Sequence, residues 1–156
     1  MSIRLYRPGD EAALADIFFS AVRKIASRDY TAEQVKAWAP HSPAPEQVAS
    51  RAADGRTVFV ATDEADRPLA YADLEADGHI DHIYCGADHV GRGMAKALYD
   101  CLEREACSRG IDGLYVEASE PARRFFLKRG FAELERNDFT LNGVPIRNYR
   151  MQKRLS

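Results

Sequence analysis

The chain has 156 residues, the length of one domain, and a domain of that size buries about 70% of the surface its unfolded form exposes, so no disulfide or metal staple is needed. With 22 Lys and Arg against 24 Asp and Glu the net charge is -2, which gives no reason to expect nucleic acid or an anionic membrane as the main partner. Cys85, Cys101 and Cys107 cannot all pair and fit no zinc spacing, so they read as reduced thiols in a cytoplasmic protein.

The N-terminal stretch "MSIRLYRPGDEAAL" lacks the apolar core of a signal peptide, and no run approaches the roughly 20 apolar residues of a membrane span. A soluble, unprocessed chain is expected. "IRLYR" (3–7) alternates apolar and charged residues as a half-buried strand does, and "PGD" breaks it and offers Asp10 as a helix cap. In "EAALADIFFSAVRKIAS" the residues Leu14, Ile17, Phe18, Val22 and Ile25 recur every three or four positions, predicting one buried helical stripe. Thr31 with Gln34 reads as a capping box for a second helix that puts Val35 and Trp38 on one face and stops at Pro40. A Pro-rich joint and a short helix ending at Gly55 follow.

The period then becomes that of strands, at 56–63, 68–77 and 79–86, joined by short turns as an antiparallel meander. A long helix over 91–110 should bury Met94, Leu98, Cys101 or Leu102, and Ala106. A strand over 113–119 precedes a short helix with Pro121 in its first turn and Gly130 past its end. "AELERNDFTLNGVPIRNYRMQKRL" closes the chain as a hairpin turning at Asn142 and Gly143. No repeat or linker interrupts residues 1–156, which read as a single domain with a mixed, mostly antiparallel α/β sheet flanked by helices.

The segment "HVGRGMAKALYD" (89–100) is a strand exit, a tight loop and a helix entrance. Glycine costs about 1 kcal/mol relative to alanine inside a helix, so Gly91 and Gly93 mark a loop or a close approach to the backbone. Free amide groups at a helix N-terminus bind anions, and Arg92 and Lys96 add charge one turn apart. No Gly-Lys-Ser or Gly-Lys-Thr makes this a Walker loop, and the three-glycine spacing of a dinucleotide site is missing.

"VGRGMA" (90–95) resembles the acyl-CoA pyrophosphate loop of the GNAT N-acetyltransferase superfamily, Gln/Arg-x-x-Gly-x-Gly/Ala, with Gly93 and Ala95 on its last two fixed positions. "ARRFFLKRGF" (122–131) resembles the family's short helix ending in Gly-Phe, and the element order is similar across nearly the whole chain. "DHIYC" and "EASEPARRFFLKRGF" are similar to a small bacterial subgroup. The resemblance implies acetyl-CoA as co-substrate, held by Val90, Gly91, Arg92, Gly93, Met94, Ala95 and Lys96, and direct transfer to a primary amine of a small molecule or peptide. It also implies a bulged fourth strand whose backbone around Ile83, Tyr84 and Cys85 holds the pantetheine arm. Ser119 stands where the family usually has an arm-binding Asn, and Tyr30 and Trp38 fall where it builds the acceptor pocket, though Trp38 reads equally as core.

Two positions depart from the pattern. Val90 replaces Gln or Arg, but its backbone N–H can still donate. Phe126 stands where many members have a tyrosine that protonates the departing thiolate, and a phenyl ring has no proton to give. Water, Tyr84 or Tyr115 remain for that step. Asp81 sits where many members place an acid and is the candidate base, directly or through water; equally, it could bond a neighbouring backbone or pair with an arginine. Strict alternation would set Asp81 on the face of His79 and Ile83, with His82 and Tyr84 opposite, so the two histidines share no ion and no metal is expected. Arg123, Arg124, Lys128 and Arg129 make the helix of "EPARRFFLKRGF" basic, and Lys128 is the candidate among them for a CoA phosphate. Expected partners are acetyl-CoA and an amine, not nucleic acid or membrane, with a homodimer left open. Alternative readings are a non-catalytic acyl-CoA binding module and an unrelated phosphate-binding domain.

Overall fold

The computed structural model describes residues 1–155. β1 (Ser2–Leu5) pairs antiparallel with β2 (Thr57–Thr62), β2 with β3 (Pro68–Leu74), and β3 with β4 (Ile83–Cys85). Between β1 and β2 lie α1 (Glu11–Ser20), α2 (Ala32–Trp38) and α3 (Pro45–Ala52). After β4 come α4 (Met94–Ser108), β5 (Gly113–Ala118), α5 (Glu120–Lys128) and the long hairpin of β6 (Ala132–Leu141) and β7 (Val144–Arg154). The second sheet has the order β5-β7-β6, and one parallel bridge, His79 to Tyr115, joins it to the first.

Period two divides the first sheet between two cores. Val58, Val60 and Tyr71 meet Leu14 and Ile17 of α1, whereas Ala61, Ala70, Ala72 and Leu74 meet Leu98, Leu102 and Ala106 of α4. In α4 the buried residue of the uncertain pair is Leu102, and Cys101 is half-buried. The hairpin turns at Asn142 and Gly143 with φ of 49° and 79°, both positive as a two-residue type I′ turn requires.

Three expectations change. Asp10 does not cap α1 with its side chain; its buried carboxylate instead takes a two-pronged bond from Arg4 at 2.8 and 3.0 Å and the Arg7 N–H at 3.0 Å. An ion pair with two charge-assisted bonds outcompetes one cap bond. The helix expected over 11–27 widens into a π-helical turn at Ala21–Ile25 and ends in a 3-10 turn at Ala26–Arg28. Ser20 Oγ donates back to Ile17 O and accepts from Ala87 N, a competition with the helix ladder that bends helices. The strand expected over 79–86 pairs regularly only at Ile83–Cys85.

Candidate active site

The segment 78–80 that leads into β4 runs parallel to β5 and touches it at one point. There Tyr115 N donates to Gly78 O and Ile80 N to Tyr115 O, and the His79 ring stacks on Tyr115 at 4.7 Å. A Cβ on Gly78, at φ +97°, would lie 2.1 Å from Gly113 O, so only glycine allows this close approach. Beyond the joint the strands diverge. Since His82 O and Gly86 N bond to β3, the backbone groups of Ile83 and Cys85 point away from it along the open edge of β4.

A cavity of about 430 Å³ occupies this V. Its walls include Asp81, Ile83, Tyr84 and Cys85 on one side and Ser119 and Phe126 on the other, with Val90 and Ala95 where the loop enters and leaves, and Tyr30 and Trp38 beyond. Ten of the residues expected from the sequence thus converge. Gly91 and Gly93 take φ of 84° and 80°, and no chain atom lies within 4 Å of a Cβ built on either. The left-handed turn, not crowding by the chain, demands glycine there. Gly93 precedes α4 without any side-chain cap, so the first N–H groups of the helix face outward; the Ala95 N–H reaches the Cys85 thiol.

The remaining loop residues divide by side chain. Met94 is buried in the core, so only its backbone is available at the loop. Arg92 is exposed, while exposed-loop neighbour Lys96 pairs with Asp100 at 3.0 Å. Ser119 caps α5 by accepting from Ala122 N at 3.4 Å. Phe126 is 1% exposed among Tyr99, Phe125 and Phe131. Lys128 is exposed at the far end of α5, off the cavity wall.

Strict alternation fails at the joint's edge. Asp73 N donates to His82 O but Glu75 N to His79 O, so residues 79–82 carry one extra residue opposite β3, a bulge. Its two consecutive donors, Asp81 N and His82 N, both bond to Asp73 Oδ1 at 3.0 and 2.8 Å. Asp73 is buried and bridged by Arg51 and Arg56, each at 2.9 Å. Asp81 and His82 consequently reach the same side of the sheet, contrary to the alternating faces expected. Asp81 meets Arg51 at 2.9 Å and Arg56 at 3.1 Å. Burial would raise its carboxyl, but nearby His82 and the two arginines hold it below the usual range.

His82 is the residue the sequence reading passed over. Its ring stacks on Phe18 at 5.4 Å, meets Tyr84 edge-on at 5.2 Å, and shares a 2.9 Å hydrogen bond between Nδ1 and the Tyr71 hydroxyl. Burial, reinforced by the Arg51 charge, pushes its pKa down to about 4, so the imidazole is neutral at pH 7. Nε2 has no hydrogen-bond partner among the described residues. The only signal in the sequence was the paired "DH" before an apolar strand, and its meaning depends on the bulge. Tyr84 also lines the cavity, its phenol pKa raised by burial and by the charges of Asp81 and Asp73. Tyr115, the other tyrosine considered, lies off the cavity wall with its hydroxyl on Asp77. Among the described residues no cluster could hold a metal ion, and no helix is long and apolar enough to cross a membrane.

The candidate site is thus a mixed α/β sheet split into a V, with a left-handed glycine loop and an uncapped helix at its mouth. The family model described as "Acetyltransferase (GNAT) domain" matches residues 26–153. The chain is 30% identical over 154 residues to the uncharacterized N-acetyltransferase YafP of Escherichia coli (strain K12), covering 97% of this chain and 95% of that one. It superposes with a TM-score of 0.90 on a GCN5-related N-acetyltransferase (aminotransferase, class II) from Rhodopseudomonas palustris, at 36% identity over 99% of this chain and 95% of the other. A phosphinothricin acetyltransferase from Sinorhizobium meliloti, in complex with acetyl-CoA, shares the fold at 18% identity and a TM-score of 0.78, over 99% and 88% of the two chains. This chain belongs to the GNAT acetyltransferase family, and acetyl transfer from acetyl-CoA to an amine is the activity that membership brings.

Proposed function

We propose that the protein passes the acetyl group of acetyl-CoA to a primary amine by direct attack, without an acyl-enzyme. The observation that carries this reading is the V between β4 and β5, whose open strand edge leads to the uncapped start of α4. The loop N–H groups of residues 90–94 and that of Lys96 hold the pyrophosphate, with Arg92 and Lys96 adding charge and Ala95, its N–H on the Cys85 thiol, lining the entrance. Ile83 and Cys85 bond the pantetheine arm along the strand edge as an added strand would. The Ser119 hydroxyl meets the same arm, Phe126 floors its channel, and Lys128 takes a CoA phosphate. Cys85 is not a nucleophile here, because burial raises its thiol pKa and keeps it protonated.

Acetyl-CoA supplies the acyl group activated as a thioester. The amine reacts in its neutral form, its extra proton left to water; its nitrogen forms a bond to the carbonyl carbon, the carbon–sulfur bond breaks with its electron pair on sulfur, and the nitrogen of the adduct sheds one further proton. His82 accepts that proton at Nε2, in the tautomer where Nδ1–H donates to Tyr71 Oη. With a pKa near 4, His82 is a weak base for a free ammonium but suits the more acidic nitrogen of the adduct. Tyr84, whose hydroxyl stands on the cavity wall, is the proton donor nearest the strand edge for the thiolate, the step that Phe126 cannot perform, although burial makes it a weaker acid than an ordinary phenol. Asp81, the base expected from the sequence, has its carboxylate on two arginines, and we assign it to holding the bulge; a direct role is the alternative that variants decide.

Calorimetry with acetyl-CoA and thiol release with a panel of primary amines test the reading. Binding and amine-dependent release are expected. Gly93→Val should weaken acetyl-CoA binding by about tenfold, from a left-handed penalty of roughly 1–2 kcal/mol. Binding without amine-dependent release would leave only an acyl-CoA binding module, and no binding would overturn both.

A further inference from the structure

The far end of the cavity carries information about the acceptor. Its walls there are Phe18, Ile25, Trp38, Phe139, Leu141 and Ile146, brought together by α1, its π-helical turn, α2 and the closing hairpin. Phe18, Trp38, Phe139 and Leu141 are only partly covered by the apolar cluster they pack against, so ring faces and edges remain open to the cavity.

The polar groups on these walls are already engaged by the chain. Arg147 bonds Glu120 at 3.0 Å and lies over the Tyr30 ring at 4.9 Å. The Tyr30 hydroxyl donates to Arg147 O and accepts from Glu120 N, both at 3.0 Å. Asn148 accepts from Asn137 at 3.1 Å, Glu117 is held by His79 at 2.5 Å, and Asp81 by its two arginines. Besides the spare amide donor of Asn148, the groups left without a chain partner among the described residues are His82 Nε2 and the Tyr84 hydroxyl, and these two lie beside the strand edge where the amine must react.

A substrate seated here receives polar contact at its nitrogen and ring surface everywhere else. A carboxylate or second ammonium placed among Phe18, Ile25, Trp38, Phe139, Leu141 and Ile146 would be desolvated without a partner. Aromatic rings, by contrast, gain from edge and face packing beyond the area they bury, and a protonated amine is drawn to ring faces on its way in.

We propose that the acceptor is an uncharged aromatic body bearing a primary amine on a short arm, and that this chamber selects it over amino acids, polyamines and peptides. The proposal rests on the acetyl-transfer reading above. It is tested by thiol release from acetyl-CoA with matched amines: phenethylamine, ethylamine, phenylalanine and putrescine. Phenethylamine should show the highest kcat/KM, with ethylamine lower by about 10- to 100-fold for the lost ring and phenylalanine lower by at least as much for its carboxylate. Leu141→Asp, on the chamber wall and outside the proton-transfer residues, should raise KM for phenethylamine about tenfold or more and leave KM for acetyl-CoA unchanged. Equal or greater kcat/KM for phenylalanine or putrescine overturns the proposal while leaving acetyl transfer intact. Acetyl-CoA binding with no turnover of phenethylamine also overturns it, and no acetyl-CoA binding removes the underlying reading as well.

Discussion

His82 and Asp81 are adjacent in sequence, share one face of the sheet, and differ in what surrounds them. Asp81 is satisfied by Arg51 and Arg56, whereas His82 is neutral, buried among Phe18, Tyr71 and Tyr84, and bonded on one nitrogen only. If His82 carries the proton, His82→Gln should lower kcat by about 100-fold or more, the usual worth of general-base catalysis, with KM for acetyl-CoA unchanged. Asp81→Asn should lower it far less. Steady-state kinetics on both variants decide between them; the reverse order would return the role of base to Asp81. Tyr71→Phe keeps the packing but frees Nδ1, so it should displace the acid limb of the pH–rate profile, an effect that lost packing alone would not produce. Asp81 was legible as an acid in the strand expected over 79–86, at the position where the resembled family often places one. His82 was not, because period two assigns faces correctly only where no residue is inserted.

The bulge is held as an element by Asp73. One carboxylate, 2% exposed as a residue, accepts both spare N–H groups of the bulge and pairs two arginines, of which Arg56 is itself nearly buried. Asp73→Ala would leave Arg56 and both amides without it, a loss of about 3–5 kcal/mol by the usual cost of breaking a buried ion pair. Urea unfolding should show that loss, and kcat should fall with it since His82 is placed by the same bulge. A variant with unchanged stability would mean the bulge is held by β3 pairing alone. The glycine loop and α4 could be read directly, since left-handed turns and helix starts are local. The π-helical turn after α1 could not: the sequence continues its helical period through Val22 and Ile25, and Ser20 at its start is held by Ala87, 67 residues away.

At the scale of the molecule, two sheets meet at one small joint. His79 spans it, bonding Glu75 at 2.7 Å on its own sheet's side and Glu117 of β5 at 2.5 Å, with Asp81 adding to the negative surroundings. Burial works against its charge, but the two carboxylates outweigh it and raise its pKa above the ordinary value. Its ionised form therefore stabilises the fold fully below the unfolded value of about 6.5, and that contribution is lost as pH rises through the raised folded pKa. His82 acts oppositely: neutral in the fold down to about 4, it makes stability fall as pH drops from about 6.5 toward that value. Unfolding free energies across pH 4–9 for the wild type, His79→Gln and His82→Gln should separate the two slopes. A pH-independent difference between wild type and His79→Gln would remove the clamp.

The sequence by itself determined the element order, the buried stripes, the closing hairpin and the left-handed glycine loop before α4, because each is written in residues a few positions apart. Local period and turn chemistry suffice for these. What only the tertiary structure decided is the candidate site's inner face: the joint at Gly78 and Gly113, the bulge on Asp73, and the apolar chamber walled by α1, α2, β6 and β7. Those depend on contacts between residues far apart in the chain, where a single inserted residue or a buried carboxylate redirects side chains that local patterning had already placed.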